Sequence, residues 1–260
     1  MRSTPAPEPP PRPGATGGAG ADDVDVGADV DVLVVGAGVS GINTAYRIRE
    51  SCPELSLRIL EARADPGGTW DLFRYPGVRS DSDVHTLTFP FHPWTGQDAI
   101  VSGAQLLGYL QEVIRHAGLD RFLDLDTRVT AAAFSTPRAR WSVRAVRGGR
   151  PVEYTARFLV LCTGYYDDDH PHDPGFTGLQ DFTGTVVHPQ HWPPGLEVAG
   201  RRVTVIGSGA TAVSLVPALA EAGARVTMLQ RTPGYVLARP GRDALARLLH
   251  RALPATAAHQ

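Results

Sequence analysis

The 260-residue sequence predicts an α/β fold made of two strand–turn–helix–strand units in series, the second cut short. Three observations predict it. From Val30, VDVLVVGAGVSGINTAYRIRE passes from β-branched residues through a glycine turn into a helical stretch, and SLRILEAR (residues 56–63) supplies a returning strand. RRVTVIGSGATAVSLVPALAEAGARVTMLQR (residues 201–231) repeats that order. Between them lie strand-like runs near residues 127–134, 141–146 and 152–157. The short GGRP turn joining the last two indicates an antiparallel β-meander. Both repeats are Rossmann-like in form.

Taken in order, residues 1–28 are Pro, Ala, Gly and acidic with nothing to bury, and read as a disordered tail. Residues 29–180 form the first domain. In it, residues 69–97 are rich in Trp, Phe, Tyr, Pro and Asp without a period, and read as a long structured loop. Residues 104–116 place Leu106, Leu107, Leu110, Val113 and Ile114 on one helical face. FLVLCTG (158–164) is continuously apolar and suits a buried parallel strand. Residues 181–199 form a linker and residues 200–260 the second domain, whose helix carries Pro217, a residue expected to kink it. RDALARLLHRAL (242–253) reads as an amphipathic basic helix, better suited to packing on protein than to lying on a membrane.

Composition excludes several functions. All 25 basic residues are arginine, so Schiff-base and Walker-type lysine chemistry are out. A net charge of −2 gives no field for nucleic acid. Cys52 and Cys162 form no C-x-x-C pair, which argues against a disulfide framework, a zinc site or a dithiol redox centre. The acidic run YYDDDHPHD (165–173) reads as a solvated loop, and no metal site is expected. No secretion signal opens the chain, and no apolar run reaches the roughly 18 residues that a bilayer needs, so a cytoplasmic setting is expected.

The glycine turns point to dinucleotides. In GAGVSG, Gly36 permits the tight turn, Gly38 lets a pyrophosphate approach, and Gly41 lets the helix pack on the strand. The helix N-terminus offers free N–H groups to the anion. Glu61, ending the next strand, can accept hydrogen bonds from an adenosine ribose and would repel a 2′-phosphate, so the ligand is FAD or NAD. The second turn, GSGATA, carries Gly207, Gly209, Thr211 and Ala212, with Arg231 where the first unit has Glu61. A guanidinium suits the 2′-phosphate of NADPH, and Thr232 adds a hydroxyl; the bland alternative is a surface arginine. FAD first and NADPH second is the economical assignment.

These motifs occur with GGTW (67–70), RYPGVRSDSD (74–83), LCTGYY (161–166) and FTGTVVHPQHWP (182–193), in an order that resembles class B flavoprotein monooxygenases. The F-x-G-x-x-x-H-x-x-x-W-P spacing of Phe182, Gly184, His188 and Trp192 resembles the Baeyer–Villiger fingerprint, and the wording is most similar to the ethionamide-activating branch. The resemblance implies FAD and NADPH as cofactors. It implies transfer of one oxygen atom from O2, through a flavin peroxide, into a small ketone or onto a sulfide or amine. It implies that Gly67, Gly68, Thr69 and Trp70 line the FAD, and that Asp81 is a flavin-proximal acid, against the plain reading of Asp81 as a loop cap. His188 and Trp192 are implied to hold the domain hinge rather than to attack substrate; the plain reading makes Phe182 and Trp192 core anchors. The family's chains are longer, and their later catalytic arginine has no counterpart here; Arg239 cannot be promoted to it on spacing. The alternative function is therefore a nucleotide-binding remnant, or a subunit needing a second chain.

Overall fold

The computed structural model describes residues 25–238 and 241–242. Residues 1–24 of the expected tail, Arg239, and all but the first residue of the helix expected over 242–253 fall outside the described residues. The first unit is built on a six-stranded sheet. Its strands are β1 (Asp25–Val35), β2 (Leu57–Leu60), β3 (Leu123–Asp124), β4 (Thr127–Ser135), β5 (Arg140–Arg147) and β6 (Arg150–Leu161), in the order β3-β2-β1-β6-β5-β4. The first four in that order run parallel, and β6, β5 and β4 form the antiparallel meander. Gly148 and Gly149, both at positive φ, make the two-residue turn between β5 and β6.

The chain turns from strand to helix where the sequence period changes. Val32 and Val34 of β1 and Leu57 and Ile59 of β2 pack under α1 (Val39–Ser51) and α4 (Gly103–His116), against Ile42, Leu110 and Val113. Leu33 and Leu60 join the opposite cluster with Val143, Val152 and Tyr154 of the meander. Helix α4 starts with a capping box in which Ser102 and Gln105 satisfy each other's backbone N–H groups. The long loop expected over residues 69–97 contains two single-turn helices, α2 (Thr69–Leu72) and α3 (Val84–Leu87).

Three expectations are corrected. The run 152–157 and residues 158–161 of the next run are one strand, β6, because no turn residue separates them; its first half pairs antiparallel with β5 while residues 152–161 follow β1 in parallel. The end of that strand is not buried: Phe158 is 54% and Leu161 67% exposed. Residues 25–28 of the expected tail lie in β1, which begins at Asp25, and Asp25 and Val26 pair with Val152 and Glu153. Backbone pairing extends β1 there with Val26 side chain in solvent, so hydropathy carries no signal of it.

The second unit is β7 (Arg202–Ile206), α5 (Ala210–Glu221) and β8 (Arg225–Leu229), with the two strands parallel. Helix α5 runs on through Pro217. Tyr75, Leu215 and Leu219 are buried together where this unit meets the first, with Phe73, Val78 and Trp192 packed around them.

Candidate functional site

The first cleft is built at the C-terminal ends of β1, β2 and β6. Gly36 N–H donates to Leu60 O at 2.8 Å and Cys162 N–H to Val35 O at 2.8 Å, threading the turn between neighbouring strand ends. Gly36 sits at φ +101°, and a Cβ there would fall 2.4 Å from Cys162 O, so only glycine fits. A Cβ at Gly41 would stand 1.8 Å from Gly36 O, which is how closely α1 rests on the turn. The GGTW segment docks on the same turn: Gly67 N–H donates to Ala37 O at 3.0 Å, and a Cβ on Gly68 would lie 2.9 Å from Gly38 Cα. Two glycine segments thus meet backbone to backbone, leaving a cleft of about 540 Å³ whose walls include Gly36, Gly38, Glu61, Gly68, Thr69 and Trp70. Tyr165 and Tyr166 stand at its edge, and a hydrogen bond to Tyr165, followed by burial, pushes the Tyr166 phenol up to about 12.

Glu61 is 6% exposed and its carboxylate is partly committed. Oε2 accepts from Ala37 N–H at 2.8 Å and Oε1 from Arg63 N–H at 3.1 Å, so it pins the glycine turn to the end of β2. A carboxylate has about four acceptor positions, which leaves capacity for hydroxyls from a ligand. Arg63, which no motif of the sequence marks, reaches across the cleft wall. It donates to Gly68 O at 2.5 Å and pairs with Asp71 at 3.1 Å and Asp168 at 3.0 Å. The acidic run is therefore not simply solvated: Asp168 is clamped by Arg63, and Asp169 pairs with Arg128.

The second turn repeats the first in outline. Gly207 N–H donates to Leu229 O at 2.8 Å, the counterpart of the Gly36–Leu60 bond. Gly209 N-caps α5, Thr211 lies half-buried in its first turn, and no atom lies within 4 Å of a Cβ placed at Gly207 or Gly209. Arg231 and Thr232 are exposed just past β8, and Thr232 O accepts from Ser208 Oγ at 3.2 Å, which holds this segment beside the glycine turn. Arg231 has no ion pair among the described residues. Ser208 occupies the variable position of the G-x-G turn, which no sequence pattern marks.

The fingerprint joins the two units. Phe182 is 61% exposed, so the core-anchor expectation fails for it; its ring instead covers Gly184, where a Cβ would lie 2.5 Å away. His188 Nδ1 accepts from Gln190 N–H at 3.2 Å, and burial, then the neighbouring His191 and His172, hold this imidazole below its ordinary range. Gln190 is 6% exposed, and its Nε2 donates to Asp167 O at 2.6 Å and Asp168 O at 3.3 Å. Trp192 packs with Tyr75, Leu215 and Leu219, as a core anchor should. Asp81 is exposed and outside the lining of the first cleft; the loop cap is Asp83, which accepts from His85 N–H at 2.9 Å.

The chain is similar to known proteins over most of its length. The family model described as pyridine nucleotide-disulphide oxidoreductase matches residues 33–240. The FAD-containing monooxygenase EthA of Mycobacterium tuberculosis is 49% identical over 228 residues, covering 87% of this chain and 47% of that protein. A solved steroid monooxygenase bound to NADP is 35% identical with a TM-score of 0.69, over 80% of this chain and 39% of that one. A cyclohexanone monooxygenase from Rhodococcus sp. Phi1 bound to NADP+ is 31% identical with a TM-score of 0.69, over 82% and 39%. The chain spans about half the length of the curated relatives it matches.

Proposed function

The chain belongs to the pyridine nucleotide-disulphide oxidoreductase family, among its flavoprotein monooxygenases, and from that premise we propose that it serves an FAD- and NADPH-dependent oxygenation. The net reaction takes NADPH, a proton, O2 and a small ketone, and yields NADP+, water and the oxygenated product; sulfides and amines are the alternative acceptors. The observation that carries this reading is the backbone-on-backbone contact of Gly38 with Gly68 beside the Glu61 carboxylate. It forms a cradle that a single Cβ would fill, so the residues present fit FAD. The dithiol chemistry in the family's description does not transfer, because the two cysteines are free and no C-x-x-C is present.

Bound FAD would supply the redox centre, taking a hydride from the nicotinamide and activating O2. The chain's own residues do the rest. The N–H groups at the start of α1 meet the pyrophosphate, and Glu61 accepts from the ribose. Thr69 and Trp70 wall the cleft and, with FAD bound, would help to exclude water from it. In the second unit, the Gly207–Gly209 turn meets the NADPH pyrophosphate, and the Arg231 guanidinium with Thr232 takes the 2′-phosphate. Asp81 is proposed to face the nicotinamide side from the loop after α2. Among the described residues no helix is long and apolar enough to cross a membrane.

The test is the visible spectrum of the purified chain, before and after NADPH is added without oxygen. A flavin spectrum that bleaches supports both sites and their communication. A colourless chain that takes up no FAD overturns the reading and favours a nucleotide-binding remnant, or a subunit that needs a second chain.

A further inference from the structure

The loop after α2 leaves the first unit and lies directly on α5 of the second. Gly77 has φ +79°, and a Cβ there would stand 2.4 Å from Ser214 O and 2.8 Å from Ala218 Cβ. Tyr75, 7% exposed, is buried with Leu215 and Leu219. Ser214, 4% exposed, sets its Oγ 3.5 Å from Tyr75 Oη while also donating toward Ala210 O and Thr211 O. On its other side the same loop is fixed to the first unit. Gly103 N–H donates to Val78 O at 2.9 Å, Ser80 N–H donates to Val101 O at 2.9 Å, and Arg79 bridges Ser102. The capping box at Ser102 and Gln105 keeps that end of α4 from fraying. Residues 77–79 are thus held between the N-terminus of α4 in one unit and the flank of α5 in the other.

We propose that Gly77 and Tyr75 are positioning residues that form a seat for α5 and thereby set the second glycine turn against the first cleft. The proposal rests on the functional reading above. Ser214 lies four residues from Ala210, roughly 6 Å along a stiff helix, and Ala210 directly follows Gly209. A side chain at position 77 cannot be accommodated by a flexible tip, because its nearest neighbour is backbone. It must push α5 aside, and the Gly207–Gly209 turn moves with it. Hydride transfer needs reacting atoms within about 3–3.5 Å, and a displacement of about 1 Å costs on the order of 100-fold in rate. The first cleft does not contain residue 77, so its own ligand is left alone.

The experiment uses the full chain and the variants Gly77→Ala, Gly77→Val, Tyr75→Phe and Tyr75→Ala. Hydrogen exchange of residues 210–221 and 189–193 is measured, with FAD affinity by fluorescence quenching and the limiting rate of anaerobic flavin reduction by NADPH. Gly77→Val should raise exchange in α5 about 10-fold with FAD affinity within about 2-fold of wild type. It should slow flavin reduction on the order of 100-fold, with Gly77→Ala between. Tyr75→Phe should restore most of what Tyr75→Ala loses, because the ring rather than the hydroxyl fills the seat. Unchanged exchange in α5, or unchanged reduction in Gly77→Val, overturns the seat. If wild-type flavin is not reduced by NADPH, the functional reading fails, and exchange alone still decides the seat. If Gly77→Val does not fold, Gly77→Ala and the two Tyr75 variants carry the same decision.

Discussion

Arg63 and Asp168 stand 105 residues apart in sequence and 3.0 Å apart in space, and their pairing decides whether the acidic loop is part of the cleft wall. At that distance, and with an effective dielectric of about 20, the attraction is on the order of 5 kcal/mol before desolvation. The side chains are 18% and 34% exposed, between the surface case of about 0–1 kcal/mol and the buried case in which breaking a pair costs about 3–5 kcal/mol. A coupling of about 1–2 kcal/mol follows. Arg63→Met, Asp168→Asn and the double variant, compared by urea denaturation, give that coupling free of the contacts Arg63 makes with Asp71 and Gly68 O. Asp168→Asn leaves the backbone carbonyl that Gln190 and His191 use, so the fingerprint is undisturbed. Salt at about 1 M should reduce the coupling only in part, since the pair is half shielded from ions. A coupling below about 0.3 kcal/mol would refute the clamp and return residues 165–173 to an independent solvated loop.

Other perturbations have equally definite outcomes. Gly41→Ala drives a Cβ into Gly36 O and should cost at least about 2 kcal/mol in urea denaturation; a cost near zero would show that α1 can move off its turn. Gln190→Met keeps the side chain's length but strands the Asp167 carbonyl, and a loss of about 1–3 kcal/mol should be seen by the same measurement. His188 has a lowered pKa when folded, so the unfolded chain takes up its proton first as pH falls. Its contribution is therefore complete above about 6.5 and lost below, and the stability difference between wild type and His188→Ala should shrink from pH 7.5 to 5. Asp31 is held at about 2 by Ser56 hydroxyl and N–H and then by Arg157; this contribution is present above the ordinary carboxylate range and lost as pH falls toward 2. Carboxyl NMR on Ser56→Ala should show the Asp31 pKa move up, and no movement would remove Ser56 as its cause.

What could be read from the sequence was whatever local pattern dictates. The two glycine turns were visible because strand, turn and helix follow one another directly, and Gly36 and Gly207 do bond to the ends of their returning strands as that order requires. The meander was visible because Gly148 and Gly149 mark its turn. What failed depended on partners distant in sequence. The exposure of Phe158 and Leu161 is set by what does or does not cover the end of β6, which an apolar run cannot encode. Arg63 looked like any arginine after a strand, and only the approach of Gly68, Asp71 and Asp168 gives it a role. The place of Glu61 at a strand end points to a ligand, while its bonds to Ala37 and Arg63 N–H are visible only in the fold.

The spacing F-x-G-x-x-x-H-x-x-x-W-P makes sense once its parts are seen to face different ways. The short 3-10 turn Pro189–His191 starts at His188, whose ring nitrogen accepts from the backbone inside it. That turn sends Gln190 toward the carbonyls of Asp167 and Asp168, on the rim of the first cleft, and carries Trp192 into the cluster with Leu215 and Leu219 of the second unit. Moving either residue by one position would lose one of the two attachments. Phe182 and Gly184 serve the approach, since a ring can fold over position 184 only if no Cβ stands there. We propose that the motif constrains geometry rather than chemistry. It holds no nucleophile or proton-transfer pair, and substitutions in it should show first in hydrogen exchange where Gln190 and Trp192 attach.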